Sequence, residues 1–214
     1  MIDQSTDDRL HLVSHPYVTD RVTQMRDIET HGAVFREHLK LIGTFLAYEA
    51  LADTRLETRV VETPVQLSKQ PCLPEMAPAL ISILRAGNYL ADGVLALSPT
   101  SPLGMVGLRR DEQTLEPEQY FLRLPEHLDQ RLTLVCDPML ATGGSLCRAL
   151  EILGDHGATQ MRVLCLLAAP EGVARVLEQF PDVHIWAAAL DDHLNEKGYI
   201  VPGLGDAGDR LYGT

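Results

Sequence analysis

No apolar run in the chain approaches the roughly 20 residues needed to span a bilayer. The amino-terminal stretch MIDQSTDDRLHLVSHP is acidic and polar and lacks the apolar centre of a secretory signal. Cysteine is scarce: Cys72, Cys136, Cys147 and Cys165 form no CxxC pair, which argues against a disulfide framework or a zinc site. Reduced cysteines in apolar stretches pack as small hydrophobes, so a reducing cytoplasmic location is the expectation. Positive charge is also in short supply. Eighteen basic residues face 30 acidic ones, for a net charge of −12, and the basic residues are scattered. Such a surface repels nucleic acid and anionic lipid. Lysine is nearly absent, with only Lys40, Lys69 and Lys197, so the remaining cations are arginines, which suit bidentate phosphate binding.

Hydrophobic residues make up 45% of the 214 positions, enough for a substantial core. Phe35, Leu39, Ile42, Leu46 and Ala50 recur at spacings of three and four, which predicts a helix from Thr30 to about Leu51 after a polar amino-terminal arm. Residues 59–68 alternate around Pro64 and predict a short edge hairpin or arm. From residue 79 the pattern alternates. Apolar strands are expected at 79–84, 103–108, 132–136, 161–167 and 183–187, with helices at 88–97, 143–156 and 171–180 between them. That order predicts an α/β fold, a parallel sheet flanked by helices, over one domain, residues 1–214. Ligands of such sheets sit at the carboxyl ends of strands, where Arg85, Arg109, Arg110 and Asp137 fall. Residues 109–125 are polar and long for a connection, and read as a lid. The tail from residue 198 holds five of the 16 glycines interleaved with Tyr199, Ile200, Val201, Pro202 and Leu204, which a mere linker would not need.

The richest segment is Leu132-Thr-Leu-Val-Cys-Asp-Pro-Met-Leu-Ala-Thr-Gly-Gly-Ser145. A buried strand ends in an acid, and a turn then leads into Thr142-Gly143-Gly144-Ser145 at a helix start. Successive amides in such a turn make a nest for phosphate, and the helix dipole adds to it. Glycine lets the anion approach the backbone, so a branched side chain at Gly143 is expected to enter the phosphate space. The alternative is a plain turn with Ser145 as helix cap. This loop has neither GK[ST] nor GxGxxG, so nucleotide hydrolysis and dinucleotide binding are poorly supported. The eight histidines read as structural or surface residues.

The loop resembles the phosphoribosyl diphosphate (PRPP) motif of the type I phosphoribosyltransferases, and DPMLATGGS is similar to their uracil phosphoribosyltransferase branch. ILRAG at 83–87, RDEQTLEP at 110–117 and the 194–214 tail containing GYIVPGLGDAGDR match that branch too, with weaker support from AAPEG and SHP. The resemblance implies transfer of the 5-phosphoribosyl group from PRPP to uracil, giving UMP and pyrophosphate. It assigns Asp137 to the ribose hydroxyls, Ala141, Thr142, Gly143, Gly144 and Ser145 to the 5′-phosphate, and Pro138, Met139 and Leu140 to the same PRPP loop. Arg85 and Arg110 would clamp the pyrophosphate. Asp206 would touch PRPP and its Mg²⁺, which no protein side-chain cluster is expected to hold. Ile200, Gly205, Asp206 and Ala207 would hold uracil. The resemblance further implies an N-terminal helical arm, a β-hairpin arm, a C-terminal base-binding hood, a homo-oligomer, and GTP as a candidate activator.

Three positions depart from the family pattern. Arg109 stands where an aromatic residue is usual, Asn88-Tyr89-Leu90-Ala91 replaces a GLGM-like run, and Ser82 stands where proline is common. Competing readings are a transferase for another base, an inactive paralogue, and a nucleotide-sensing RNA-binding protein. The first should lack the glycine-rich tail; the last needs a basic face that the charge balance does not provide.

Overall fold

The computed structural model describes residues 7–110 and 117–214, and the side chains of Arg110 and Pro117 lie outside the described set. The apolar runs become the buried strands of one eight-stranded sheet. Its strands are β1 (Leu10–Leu12), β4 (Ala79–Leu84), β5 (Leu103–Arg110), β6 (Pro117–Arg123), β7 (Thr133–Cys136), β8 (Met139–Leu140), β9 (Met161–Ala168) and β10 (His184–Leu190). The order across the sheet is β1-β10-β9-β7-β4-β5-β6, with β8 beside β9. All pairs are parallel except β5 with β6.

Helices cover both faces. On one, α1 (Pro16–Arg26), α2 (Gly32–Ala50), α3 (Gly87–Leu97) and α6 (Ala207–Tyr212) enclose a core around Phe35, Leu39, Leu90 and Leu134. On the other, α4 (Gly144–Asp155) and α5 (Pro170–Gln179) enclose one around Leu146, Leu150, Val163 and Val176. A separate antiparallel hairpin, β2 (Glu57–Glu62) with β3 (Leu67–Cys72), forms the expected arm around Pro64.

Two expectations change. Residues 109–125 are less of a loop than their polarity suggested, because β6 pairs antiparallel with β5 on the sheet edge. An edge strand needs no apolar alternation on its open side, so its sequence reads as loop. Residues 111–116, with Glu112 and Glu116, lie outside the described residues. The amino-terminal segment is more ordered than a polar arm: β1 joins the sheet beside β10, and α1 buries Val18, Val22 and Met25. Val18, Val22 and Met25 have helical spacing, but three such positions in an otherwise largely polar segment of 11 residues make a short signal.

The topology picks out one place. From β4 the chain steps outward to β5 and β6, then returns to the other side of β4 to lay down β7 and β9. This reversal opens a crevice at the carboxyl ends of β4 and β7, where parallel sheets bind ligands. Arg85 follows β4 directly, and Asp137 follows β7.

Candidate active site

Two adjoining cavities occupy the crevice. The larger, about 340 Å³, lies between Arg85, Asp137 and Met139 on one side and Tyr199, Ile200 and Gly205–Gly208 on the other. The smaller, about 230 Å³, is walled by the segment from Leu140 through Ser145. Arg85, Ala86, Asp137, Met139 and Ala141 border both.

The loop between them is held by backbone bonds to β9. Asp137 N–H donates to the Leu164 carbonyl at 3.1 Å, Leu166 and Leu167 both donate to the Pro138 carbonyl at 3.0 Å, and Ala169 donates to Leu140 at 2.8 Å. Pro138 is therefore a buried anchor that lines neither cavity, unlike its neighbours in the predicted loop. Helix α4 starts from Gly143, with φ at +76° and no side-chain cap, so Ser145 does not cap it. The uncapped first turn faces the smaller cavity, which suits an anion. The Gly143 expectation needs correcting. A Cβ there would point at the Gly172 carbonyl, 3.1 Å away, and not into the cavity. Glycine is required at this position by its backbone angle and by the close approach of α5.

Asp137 is half-buried, and desolvation raises its carboxyl from the ordinary 3.8 to about 6, opposed by a 3.4 Å hydrogen bond from Met139 N–H. An acceptor poised in this way gains most when donors such as ribose hydroxyls arrive. Cys136 is fully buried, and burial raises its thiol far out of the reactive range, so it is not a nucleophile.

The opposite wall is the tail. Its hairpin, β11 (His193–Leu194) with β12 (Ile200–Val201), is tied down where Glu171 accepts from Leu194 N–H at 3.0 Å. Asp191 is 6% exposed and does three jobs. It pairs with both Arg26 guanidinium nitrogens, at 2.8 and 2.5 Å, and accepts from Gly203 N–H at 2.9 Å, while Arg26 also donates to the Gly203 carbonyl at 2.8 Å. Arg36 donates to Leu211 O at 2.6 Å, and Arg210 reaches the carbonyls of Met25 and Asp27. Three arginines thus lock the tail to α1 and α2. Gly203, Gly205 and Gly208 have the GxGxxG spacing, yet Gly208 lies inside a six-residue helix and β12 belongs to a hairpin, so the context of a dinucleotide loop is missing.

Asp206 lines the larger cavity and also caps α6, accepting from Asp209 N–H at 3.0 Å as a turn former does. Arg109 is exposed and pairs with Glu118 across the β5–β6 hairpin at 2.8 Å. Arg110 ends β5 opposite Pro117, and its side chain lies outside the described residues. Sequence reasoning did not assign Tyr199, which lines the larger cavity, or Tyr212, whose hydroxyl donates to the Arg85 carbonyl at 2.8 Å. Neither side chain forms a motif with its neighbours in sequence. Among the described residues no group of three His, Cys, Asp or Glu could hold a metal by itself.

An acid and an arginine at the switch point, with a glycine loop opening a helix on one side and a recess bordered by the tail on the other, are the layout expected of a phosphoribosyltransferase. The comparisons agree. The profile of the uracil phosphoribosyltransferase family matches residues 12–214. Curated uracil phosphoribosyltransferases from Paracoccus denitrificans and Agrobacterium fabrum are 51% and 49% identical to it, over 98% and 97% of this chain and 99% of each relative. A solved structure, the AQ2163 protein from Aquifex aeolicus, superposes with a TM-score of 0.90 at 40% identity, covering 95% of this chain and 97% of that one. The chain belongs to the uracil phosphoribosyltransferase family.

Proposed function

We propose that the chain transfers the 5-phosphoribosyl group of PRPP to uracil, releasing pyrophosphate and forming UMP, and that residues 1–214 act as one phosphoribosyltransferase unit. The observation that carries this reading is the pair of cavities meeting at Asp137 and Arg85, one built from loop amides and the other from tail backbone. The 5′-phosphate takes the α4 end of the smaller cavity. Asp137 accepts from the ribose hydroxyls. Uracil lies in the larger cavity against the tail.

As the bond from C1′ to the pyrophosphate oxygen breaks, negative charge grows on the leaving group and positive charge on the ribose. Arg85 stabilises the former, and Arg110 is assigned the same role. Uracil N1 then bonds to C1′ and loses its proton. Mg²⁺, when bound with PRPP, supplies further charge neutralisation of the diphosphate. The donor set fits a cation carried in by the substrate: Asp137 and Asp206 offer hard carboxylate oxygens on the larger cavity, without a protein cage.

Selection of uracil follows from its edge, which offers an acceptor at O4 and a donor at N3; cytosine reverses both. Backbone groups of Ile200 and Gly205–Ala207 hold that edge in this reading. An enzyme of this kind works in the cytoplasm, and no helix among the described residues is long and apolar enough to cross a membrane. Val60, Val65 and Leu67 are exposed on the β2–β3 hairpin, which supports association of copies through it. The test is to incubate the protein with PRPP, Mg²⁺ and each nucleobase in turn. UMP and pyrophosphate are expected from uracil alone; a nucleotide from a purine base, or no product, overturns the assignment.

A further inference from the structure

Two of the departures from the family pattern touch each other. Ser82 is fully buried on β4, and its hydroxyl donates to Asn88 Oδ1 at 2.8 Å. That contact fixes which end of the Asn88 amide faces inward and leaves the nitrogen end free to donate. The Asn88 amide neighbours Tyr212, whose hydroxyl donates to the Arg85 carbonyl at 2.8 Å. The Tyr212 ring makes a second contact, with the Arg85 guanidinium carbon 5.3 Å from its centroid, within cation–π range. Tyr89, part of the same departing run, packs on Tyr212 with centroids 5.9 Å apart.

We infer that Tyr212 is a positioning residue for Arg85, holding it by carbonyl and guanidinium together. Arg85 is exposed and follows the last residue of β4, so its own strand does little to fix its side chain. Tyr212 supplies what the strand does not. It sits on α6, the helix that Asp206 and Ala207 begin beside the base recess. The tail therefore serves both ends of the reaction: one end of α6 faces the base and the other steadies the leaving-group arginine. Burial raises the Tyr212 hydroxyl above its usual range, which keeps it a neutral donor.

This inference rests on Arg85 being the pyrophosphate contact, and the experiment separates the two. Tyr212→Phe keeps the ring and deletes the hydroxyl; Arg85→Ala is the reference. The probe is inorganic pyrophosphate with Mg²⁺, followed by calorimetry and supported by KM values for PRPP and for uracil. Loss of one hydrogen bond predicts a weakening of pyrophosphate and PRPP by about three- to tenfold in Tyr212→Phe. The uracil KM and thermal midpoint should stay unchanged. If Arg85→Ala loses pyrophosphate while Tyr212→Phe binds it normally, the positioning role is wrong and the site reading stands. An equal rise in uracil KM would mean that Tyr212 merely supports the tail, which also overturns it. If Arg85→Ala changes nothing, both fall.

Discussion

The 137–145 loop and the 198–214 tail face the same pair of cavities, yet they are held by different means. The loop is continuous with a buried strand and a helix, and its carbonyls and amides are pinned to β9 in register. The tail has no strand of the main sheet to lean on. It hangs from side chains far away in sequence: Arg26 through Asp191, Arg36 through the Leu211 carbonyl, and Glu171 through Leu194. The loop is a local structure, and in the proposed reading it holds an invariant group, phosphate. The tail is a non-local structure whose geometry depends on the amino-terminal helices, and in that reading it chooses among bases.

The sharpest way to separate the two regions is to cut the tail's main anchor. Asp191→Ala leaves Arg26 half-buried without its partner and the Gly203 amide without an acceptor. Breaking a buried pair from one side costs about 3–5 kcal/mol. Thermal denaturation should show that loss, with a raised uracil KM and nearly normal pyrophosphate binding in the folded fraction. A parallel loss of pyrophosphate binding would mean that the two regions are not separable.

On the loop side, Asp137 trades stability for function. Its folded-state pKa of about 6 lies above the ordinary 3.8, so between those values the folded protein keeps a proton that the unfolded chain has released. Stability therefore falls as pH rises through that window and stays lower above it. Asp137→Asn should raise stability at neutral pH by on the order of 2 kcal/mol and flatten this dependence. Its kcat/KM for PRPP should fall by about 10²-fold, the worth of two charge-assisted hydrogen bonds. In the unaltered protein, kcat/KM for PRPP should decline as pH drops through about 6, since that parameter reports the free enzyme. A stabilised Asn variant with full activity would remove Asp137 from the site.

Gly143→Ala comes next. The backbone angle of +76° alone costs an L-residue about 1–2 kcal/mol, and the Gly172 carbonyl must also give way. Melting temperature and PRPP affinity should fall together; weaker PRPP binding with an unchanged melt would return the side chain to the phosphate space. The smallest effect belongs to Arg109, whose exposed pairing with Glu118 predicts that Arg109→Ala keeps kcat/KM within about twofold. A larger drop would show that it shares the work assigned to Arg110.

The same local versus non-local divide explains what could be read from the sequence. Strands β4, β5, β7, β9 and β10 and the helices between them follow from apolar runs of the right length, and Arg85, Asp137 and the 141–145 nest follow from their places at strand ends. Helix α1, strand β1 and the edge strand β6 do not stand out in the sequence, because α1 and β1 are short and β6 is mostly exposed along its described residues. Tyr212 and the Arg26–Asp191 clasp were out of reach for another reason. Their partners lie 127 and 165 residues away, and only the folded chain brings them together. The Ser82–Asn88 contact was half legible, since both departures were visible but their meeting was not.

The central claim is that tail backbone reads the base, and the most direct test is kcat/KM for uracil and for cytosine, measured side by side with PRPP and Mg²⁺ saturating. Cytosine would set donor against donor and acceptor against acceptor, and sites built to hydrogen-bond a substrate's polar edge reject an analogue that cannot match it by about 10⁴-fold. A uracil preference of that order is the predicted result; turnover of cytosine within about tenfold of uracil would contradict it.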